Sequence, residues 1–156
     1  MNYAAIRYHD IANGPGVRIS LFVSGCRNHC PGCFNTVAWD FSYGQPYTAE
    51  TEDQIAAALA SPFFAGLSLL GGDPFEPENE RALISLARRT KKLGKTVWCW
   101  TGYLMEDLQD RPLMEFVDVL IDGPYESSQN SLAQWRGSSN QRIWRKEADG
   151  WSIMQQ

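Results

Sequence analysis

The sequence predicts an α/β fold, an open, partial (β/α) barrel of mostly parallel strands, and three observations carry that prediction. Short apolar runs at 18–23, 66–70, 96–101 and 117–122 alternate with longer segments of helical character, the pattern of βα units around a parallel sheet. Each run ends in residues of special chemistry or conformation. Cysteines follow Val23, Gly71 to Pro74 follow Leu70, Gly102 follows Thr101, and Asp122 and Gly123 follow Ile121. In parallel α/β folds that carboxyl edge is where ligands bind. With 156 residues there are too few βα units to close an eight-stranded barrel, so the sheet stays open.

In chain order, 3–8 is a candidate first strand, and 13–18 (Asn-Gly-Pro-Gly-Val-Arg) reads as a turn or exposed loop feeding the strand at 18–23. Residues 34–48 look irregular, broken by Gly44 and Pro46. A helix is predicted over 48–60, with Thr48 or Thr51 as its cap and Ser61-Pro62 as its stop. The run 66–70 is a short buried strand. The clearest helix spans 78–93, with Leu83, Leu86, Ala87 and Thr90 on one face and Gly94 ending it. A strand at 96–101 follows, then a short helix at 104–108 and another beginning near Pro112, a residue suited to a first helical turn. The strand at 117–122 is the last clear element. Beyond it the chain reads as loop-rich, with a final strand at 143–144.

Size and composition narrow the function classes. The chain is long enough to bury one core and has no linker to divide it, so residues 1–156 form a single domain. A hydrophobic content of 44% with 21% charged residues is that of a folded globular protein. No apolar run approaches the roughly 18 to 20 residues of a membrane helix. The net charge of −4 gives no electrostatic reason to expect nucleic acid or an anionic membrane as partner. The first residues carry no export signal, so a cytoplasmic, reducing location is expected.

In such a compartment clustered cysteines bind metal or do chemistry rather than form disulfides. Cys26, Cys30 and Cys33 fall within eight positions directly after the strand at 18–23. Thiolates suit iron–sulfur clusters and also zinc. A zinc site wants four ligands, for which His29 or Cys99 is available. Three cysteines on a [4Fe–4S] cube leave one iron open to a substrate or cofactor. Cys99 lies within an apolar strand and reads as a small core residue.

The spacing C-x3-C-x2-C at 26–33, followed about forty residues later by Gly71-Gly72-Asp73-Pro74, resembles the radical S-adenosylmethionine (SAM) enzymes. Further stretches are similar to the activating enzymes of anaerobic (class III) ribonucleotide reductase: 13–18, Cys30 to Asn35, Trp39, Trp100 to Tyr103, Asp118 to Gly123, and 135–142. The resemblance implies the partial barrel of that superfamily, with Cys26, Cys30 and Cys33 holding a [4Fe–4S] cluster whose fourth iron is chelated by SAM. It implies that Gly71 and Gly72 let the backbone approach the methionine part of SAM, that Asp73 or Asp122 contacts SAM, and that backbone at Gly32, Cys33 and Phe34 lies along the adenine. Gly32 stands where much of the superfamily has an aromatic residue. The implied reaction is reductive cleavage of SAM to a 5′-deoxyadenosyl radical, which generates a glycyl radical on the reductase. The cofactors carry that chemistry, and no acid–base residue is singled out.

Other readings remain open at this level. They are an activase of another glycyl-radical enzyme such as pyruvate formate-lyase, an iron–sulfur electron carrier without SAM chemistry, and a structural zinc module. Arg88, Arg89, Lys91, Lys92 and Lys95 crowd the end of the 78–93 helix. They read either as complements to the helix dipole or as a docking patch for an acidic, low-potential donor such as flavodoxin.

Overall fold

The structure is a computed structural model and describes residues 1–33, 35–131 and 133–154. Eight strands form one sheet: β1 (Asn2–Asp10), β2 (Arg18–Val23), β3 (Gln45–Pro46), β4 (Gly66–Gly71), β5 (Thr96–Trp100), β6 (Val119–Asp122), β7 (Arg142–Glu147) and β8 (Gly150–Ile153). Their order across the sheet is β3-β1-β2-β4-β5-β6-β7-β8. The helices are α1 (Ala49–Leu59), α2 (Pro77–Lys92) and α3 (Met105–Leu108), with 3-10 turns at Thr36–Trp39, Pro112–Phe116 and Ser127–Gln129.

The sequence predicts mostly parallel pairing, whereas three pairings are parallel and four antiparallel. The parallel ones join β2, β4, β5 and β6. The antiparallel ones attach β1, β3, β7 and β8 at the flanks. The reason is connectivity. A parallel pair needs a crossover, and the chain supplies three: α1, α2, and α3 with the 3-10 turn that follows it. The flanking strands have connections without such a crossover and so run antiparallel. The β7–β8 hairpin extends well beyond the strand expected at 143–144. Its two-residue turn is Ala148-Asp149, and Gly150, the first residue of β8, follows at φ 141°.

Alternation along the central strands builds two faces. Ile19, Leu21 and Val23, with Leu67, Leu69, Val97 and Cys99, meet Ile55, Leu59, Leu83, Leu86 and Ala87 of α1 and α2 in the main core. Cys99 is fully buried there. Thr48 caps α1 through a reciprocal pair with Thr51, and Pro77 occupies the first turn of α2.

The opposite face carries polar residues at its amino end and apolar ones above. Arg18, fully buried, gives all five guanidinium N–H groups to neutral oxygens: Ser68 Oγ (2.8 Å), Pro15 O (3.4 Å), Thr96 Oγ1 (3.0 Å), Leu67 O (2.9 Å) and Thr96 O (3.0 Å). Burial lowers its pKa to about 10. Gly66 makes this possible, because a Cβ there would stand 2.1 Å from Thr96 O and 2.8 Å from Arg18 Nη2. Above that layer Phe22, Leu70 and Trp100 form the floor of a cavity at the carboxyl edge.

Candidate metal centre

The cavity measures about 500 Å³ and brings Cys26, Cys30 and Cys33 together with Gly71, Gly72 and Asp73. All three cysteines are half-buried and unpaired. Burial pushes the Cys26 thiol up to about 11 and raises that of Cys30, so binding a metal at neutral pH releases protons.

Adjacent parallel strands place the cysteine loop beside the glycine turn. Val23 pairs with Gly71 in register, and backbone bonds continue past the strands: Gly72 N to Val23 O (2.7 Å) and Asp73 N to Gly25 O (2.8 Å). Gly71 has φ 107°. A Cβ on Gly72 would lie 2.5 Å from Gly25 O and 2.9 Å from Ala38 O. These glycines are thus required by the chain's own close packing, whatever binds in the cavity.

Three buried polar residues at three-residue spacing, Asp73, Glu76 and Asn79, grip the base of the cysteine loop. The Asp73 carboxylate accepts from Phe75 N (3.0 Å), Thr101 Oγ1 (2.8 Å), Gly102 N (2.8 Å) and Asn28 Nδ2 (2.9 Å). Burial raises its pKa to about 6 against those donors, which leaves it mostly ionised at pH 7. Glu76 accepts from Arg27 N (2.5 Å), Arg27 Nη1 (3.0 Å) and Tyr103 OH (2.8 Å). Asn79 Nδ2 donates to Ser24 O (3.0 Å) and Asp73 O (2.9 Å). Arg27 also packs over Phe41 at 4.5 Å, and His29 stacks on Trp39 at 4.4 Å.

The far wall comes from Tyr125, Trp135 and Arg136. Trp100 Nε1 donates to Trp135 O (2.8 Å), and Trp135 meets Trp98 edge to face at 4.6 Å. Gln141 Nε2 donates to Gly123 O (3.0 Å), while its Oε1 accepts from Gly137 N (2.8 Å), closing that loop on itself.

Two of the expected cofactor residues stand elsewhere. Asp122 is fully buried and outside the cavity, accepting from Met105 N (2.7 Å) and from Arg142 Nε (3.1 Å) and Nη2 (2.6 Å). It shares the face of Leu120, turned toward α3, whereas the cavity opens on the opposite face. Gly32, at φ 75°, packs against Ser127 and does not line the cavity. Phe34 lies outside the described residues. The basic end of α2 is largely engaged within the chain: Arg89 pairs with Glu52 and Asp53, Lys91 with Asp118, Lys95 donates to Ser61 O, and Arg88 packs over Phe116.

A family model described as a 4Fe-4S single cluster domain matches residues 12–144. The chain is 40% identical over 153 residues to the anaerobic ribonucleoside-triphosphate reductase-activating protein of Enterobacteria phage T4, covering 97% of this chain and 98% of that one. It is 44% identical over 152 residues to the protein of that name from Vibrio cholerae (93% and 98%) and 41% over 150 residues to that of Escherichia coli (92% and 97%). The chain belongs to this activating-protein family. The residues of this family member fit a 4Fe-4S group. Its three thiols are soft donors on one loop, opening into one cavity. Among the described residues no three His, Cys, Asp or Glu side chains lie close enough together to hold one metal ion. A four-iron cube takes its thiolates on separate irons and asks for a wider arrangement than a single ion. Among the described residues no helix is long and apolar enough to cross a membrane.

The sequence reading missed Asn28, Glu76, Asn79 and Tyr103. The spacing of Asp73, Glu76 and Asn79, polar residues three apart at a helix start, is the signal that points to two of them.

Proposed function

We propose that this chain is the iron–sulfur activase of an anaerobic ribonucleotide reductase, acting in the cytoplasm by reductive cleavage of SAM, and that its sheet is the partial (β/α) barrel of a radical SAM enzyme. The meeting of a three-cysteine loop and a glycine turn in one cavity, at the ends of adjacent parallel strands, carries this reading. Cys26, Cys30 and Cys33 would hold the cluster, leaving one iron to be chelated by SAM. When bound, the pair would supply the one-electron reductive cleavage of SAM and, through it, hydrogen-atom abstraction from a glycine of the reductase.

The chain's residues bind, orient and exclude water. The backbone at Gly71 and Gly72 offers a side-chain-free wall for the methionine part of SAM, and backbone at Cys33 one for the adenine. Phe22, Leu70, Trp100 and Trp135 supply apolar surface that keeps water and competing hydrogen donors from the reacting atoms. Arg27, Glu76 and Asn79 fix the loop that presents the thiolates. A low-potential protein such as flavodoxin is the proposed electron donor.

The test is EPR of anaerobically reconstituted, dithionite-reduced protein with and without SAM, together with iron and sulfide analysis. About four irons per chain and a signal altered by SAM support the reading, as does a glycyl radical on the reductase after mixing. A cluster indifferent to SAM would make the chain an electron carrier, and zinc in place of iron a structural module.

A further inference from the structure

Asp73 lines the cavity, yet every hydrogen-bonding group it carries is engaged within the chain. A carboxylate has about four acceptor positions. Here Oδ1 takes Phe75 N and Thr101 Oγ1, and Oδ2 takes Gly102 N and Asn28 Nδ2, all at 2.8–3.0 Å. Its backbone is committed too, the N–H to Gly25 O and the carbonyl to Asn79 Nδ2. The residue is 1% exposed.

These bonds join three separated pieces of the chain. Gly25 and Asn28 belong to the cysteine loop, Asn28 lying two residues from both Cys26 and Cys30. Thr101 and Gly102 cap the carboxyl end of β5. Phe75 leads into α2, and Asn79 lies in its first turn. Gly102 is shaped for the arrangement, since a Cβ there would fall 2.4 Å from Asn28 Nδ2. A positively charged group of a bound molecule could reach this carboxylate only by displacing one of four well-made bonds, one of which is the tether of the cysteine loop.

We propose that Asp73 is a positioning residue: through Asn28 it clasps the cysteine loop to the end of β5 and sets the places of Cys26 and Cys30, and it makes no direct contact with SAM. This rests on the reading of the cavity as a cluster and SAM site. An ammonium group bound in the cavity then finds its acceptors elsewhere than at Asp73.

The test uses full-length protein, reconstituted anaerobically, as wild type, Asn28→Ala, Asp73→Asn and the double variant. Wild type is measured first; if it takes up no iron, or its EPR signal ignores SAM, the reading of the cavity itself fails, whatever the variants do. With that established, the clasp predicts that Asn28→Ala loses iron to a chelator, without SAM present, roughly tenfold faster than wild type, on the scale of one hydrogen bond to a charged group. The EPR line shape of its reduced cluster should change, the metal-free protein should melt about 3–6 °C lower for loss of the same bond, and SAM affinity per loaded cluster should hold within about twofold. The double variant should be no worse than Asp73→Asn, because both substitutions open one clasp. Iron retention by Asn28→Ala equal to wild type would overturn the proposal. So would an Asp73→Asn protein that keeps its cluster but no longer binds SAM. Should Asp73→Asn fail to fold, Asn28→Ala decides alone.

Discussion

Glu76 offers the sharpest test of how the cysteine loop is held. Its carboxylate is fully buried and receives three donors, two from Arg27 and one from Tyr103. In Glu76→Gln the amide oxygen can keep the Arg27 backbone N–H, and the new NH2 can donate to the Tyr103 oxygen if that hydroxyl turns. The guanidinium bond has no such substitute, because an NH2 cannot accept it. A hydrogen bond to a charged group is worth about 1.5–3 kcal/mol. Arg27 is 54% exposed and keeps Glu78, which moves the loss toward the lower end, about 2 kcal/mol. Glu76→Ala strands all three donors, two of them on the loop backbone and a charged side chain, and should cost about 4 kcal/mol. For a chain of this size, each kcal/mol lowers the melting temperature by about 2–4 °C. Thermal unfolding of the metal-free protein by circular dichroism should therefore show drops of roughly 4–8 °C for Gln and twice that for Ala, by the same scaling. Iron retention should fall in the same order. If Glu76→Ala melted within about 1 °C of wild type, a span far inside that scaling, the claim that this carboxylate anchors the loop would be wrong.

Three further expectations follow from the same geometry. Gly72→Ala drives a methyl group into Gly25 O at 2.5 Å, backbone that cannot yield without parting the two strand ends; urea unfolding should register about 1–3 kcal/mol of lost stability, and iron analysis a protein that no longer fills with cluster. Trp100→Phe removes the donor to Trp135 O, so hydrogen exchange followed by mass spectrometry should rise across 124–141 while the helices stay protected as before. The third concerns acid. Asp10 is buried, which raises its pKa, but hydrogen bonds from Asn13 and the Ala12 amide, with the charge of Arg7, outweigh this and hold it below the usual 3.8. A depressed carboxylate stabilises the fold above its unfolded value and loses that contribution as pH falls through the folded one. Asp10→Asn should therefore be less stable than wild type at pH 7, with urea midpoints converging as the pH drops below 3.8; a constant gap at every pH would contradict the assignment.

The central strands and both long helices were legible because their signals are local. Apolar runs of five or six residues, a proline at a first turn and a glycine after a last one need only their neighbours. Of the flanking strands, β1 was legible as a strand at 3–8, but its direction was not, nor were the strands at 45–46 and 150–153. Whether β1 runs antiparallel to β2 depends on a path through 11–17 that no residue pattern there states, and the 45–46 strand exists only because Met1 to Tyr3 lies beside it. The β7–β8 hairpin hid behind charged residues: Arg142, Arg145, Lys146 and Glu147 belong to a strand whose partner β8 is an edge, where charge is tolerated.

The site divides along a different line. Thiols and consecutive glycines declare their use by type and spacing, so Cys26, Cys30, Cys33, Gly71 and Gly72 could be named in advance. Carboxylates do not, because an acid at a strand end can serve a ligand, a cation or the chain itself, and which it serves depends on what folding brings to it. Asp122 stands one residue past Ile121, and alternation alone turns it from the cavity toward Met105 and Arg142. Asp73 does reach the cavity, but it meets Asn28, 45 residues earlier in the chain, and Gly102, 29 residues later. Arg27 and Glu76 are separated by 49 residues. Such pairings exist only once β2, β4 and β5 are side by side. The cysteine loop accordingly depends less on its own motif than on three polar residues of the segment after β4, which hold it by its backbone and by the side chains of Arg27 and Asn28.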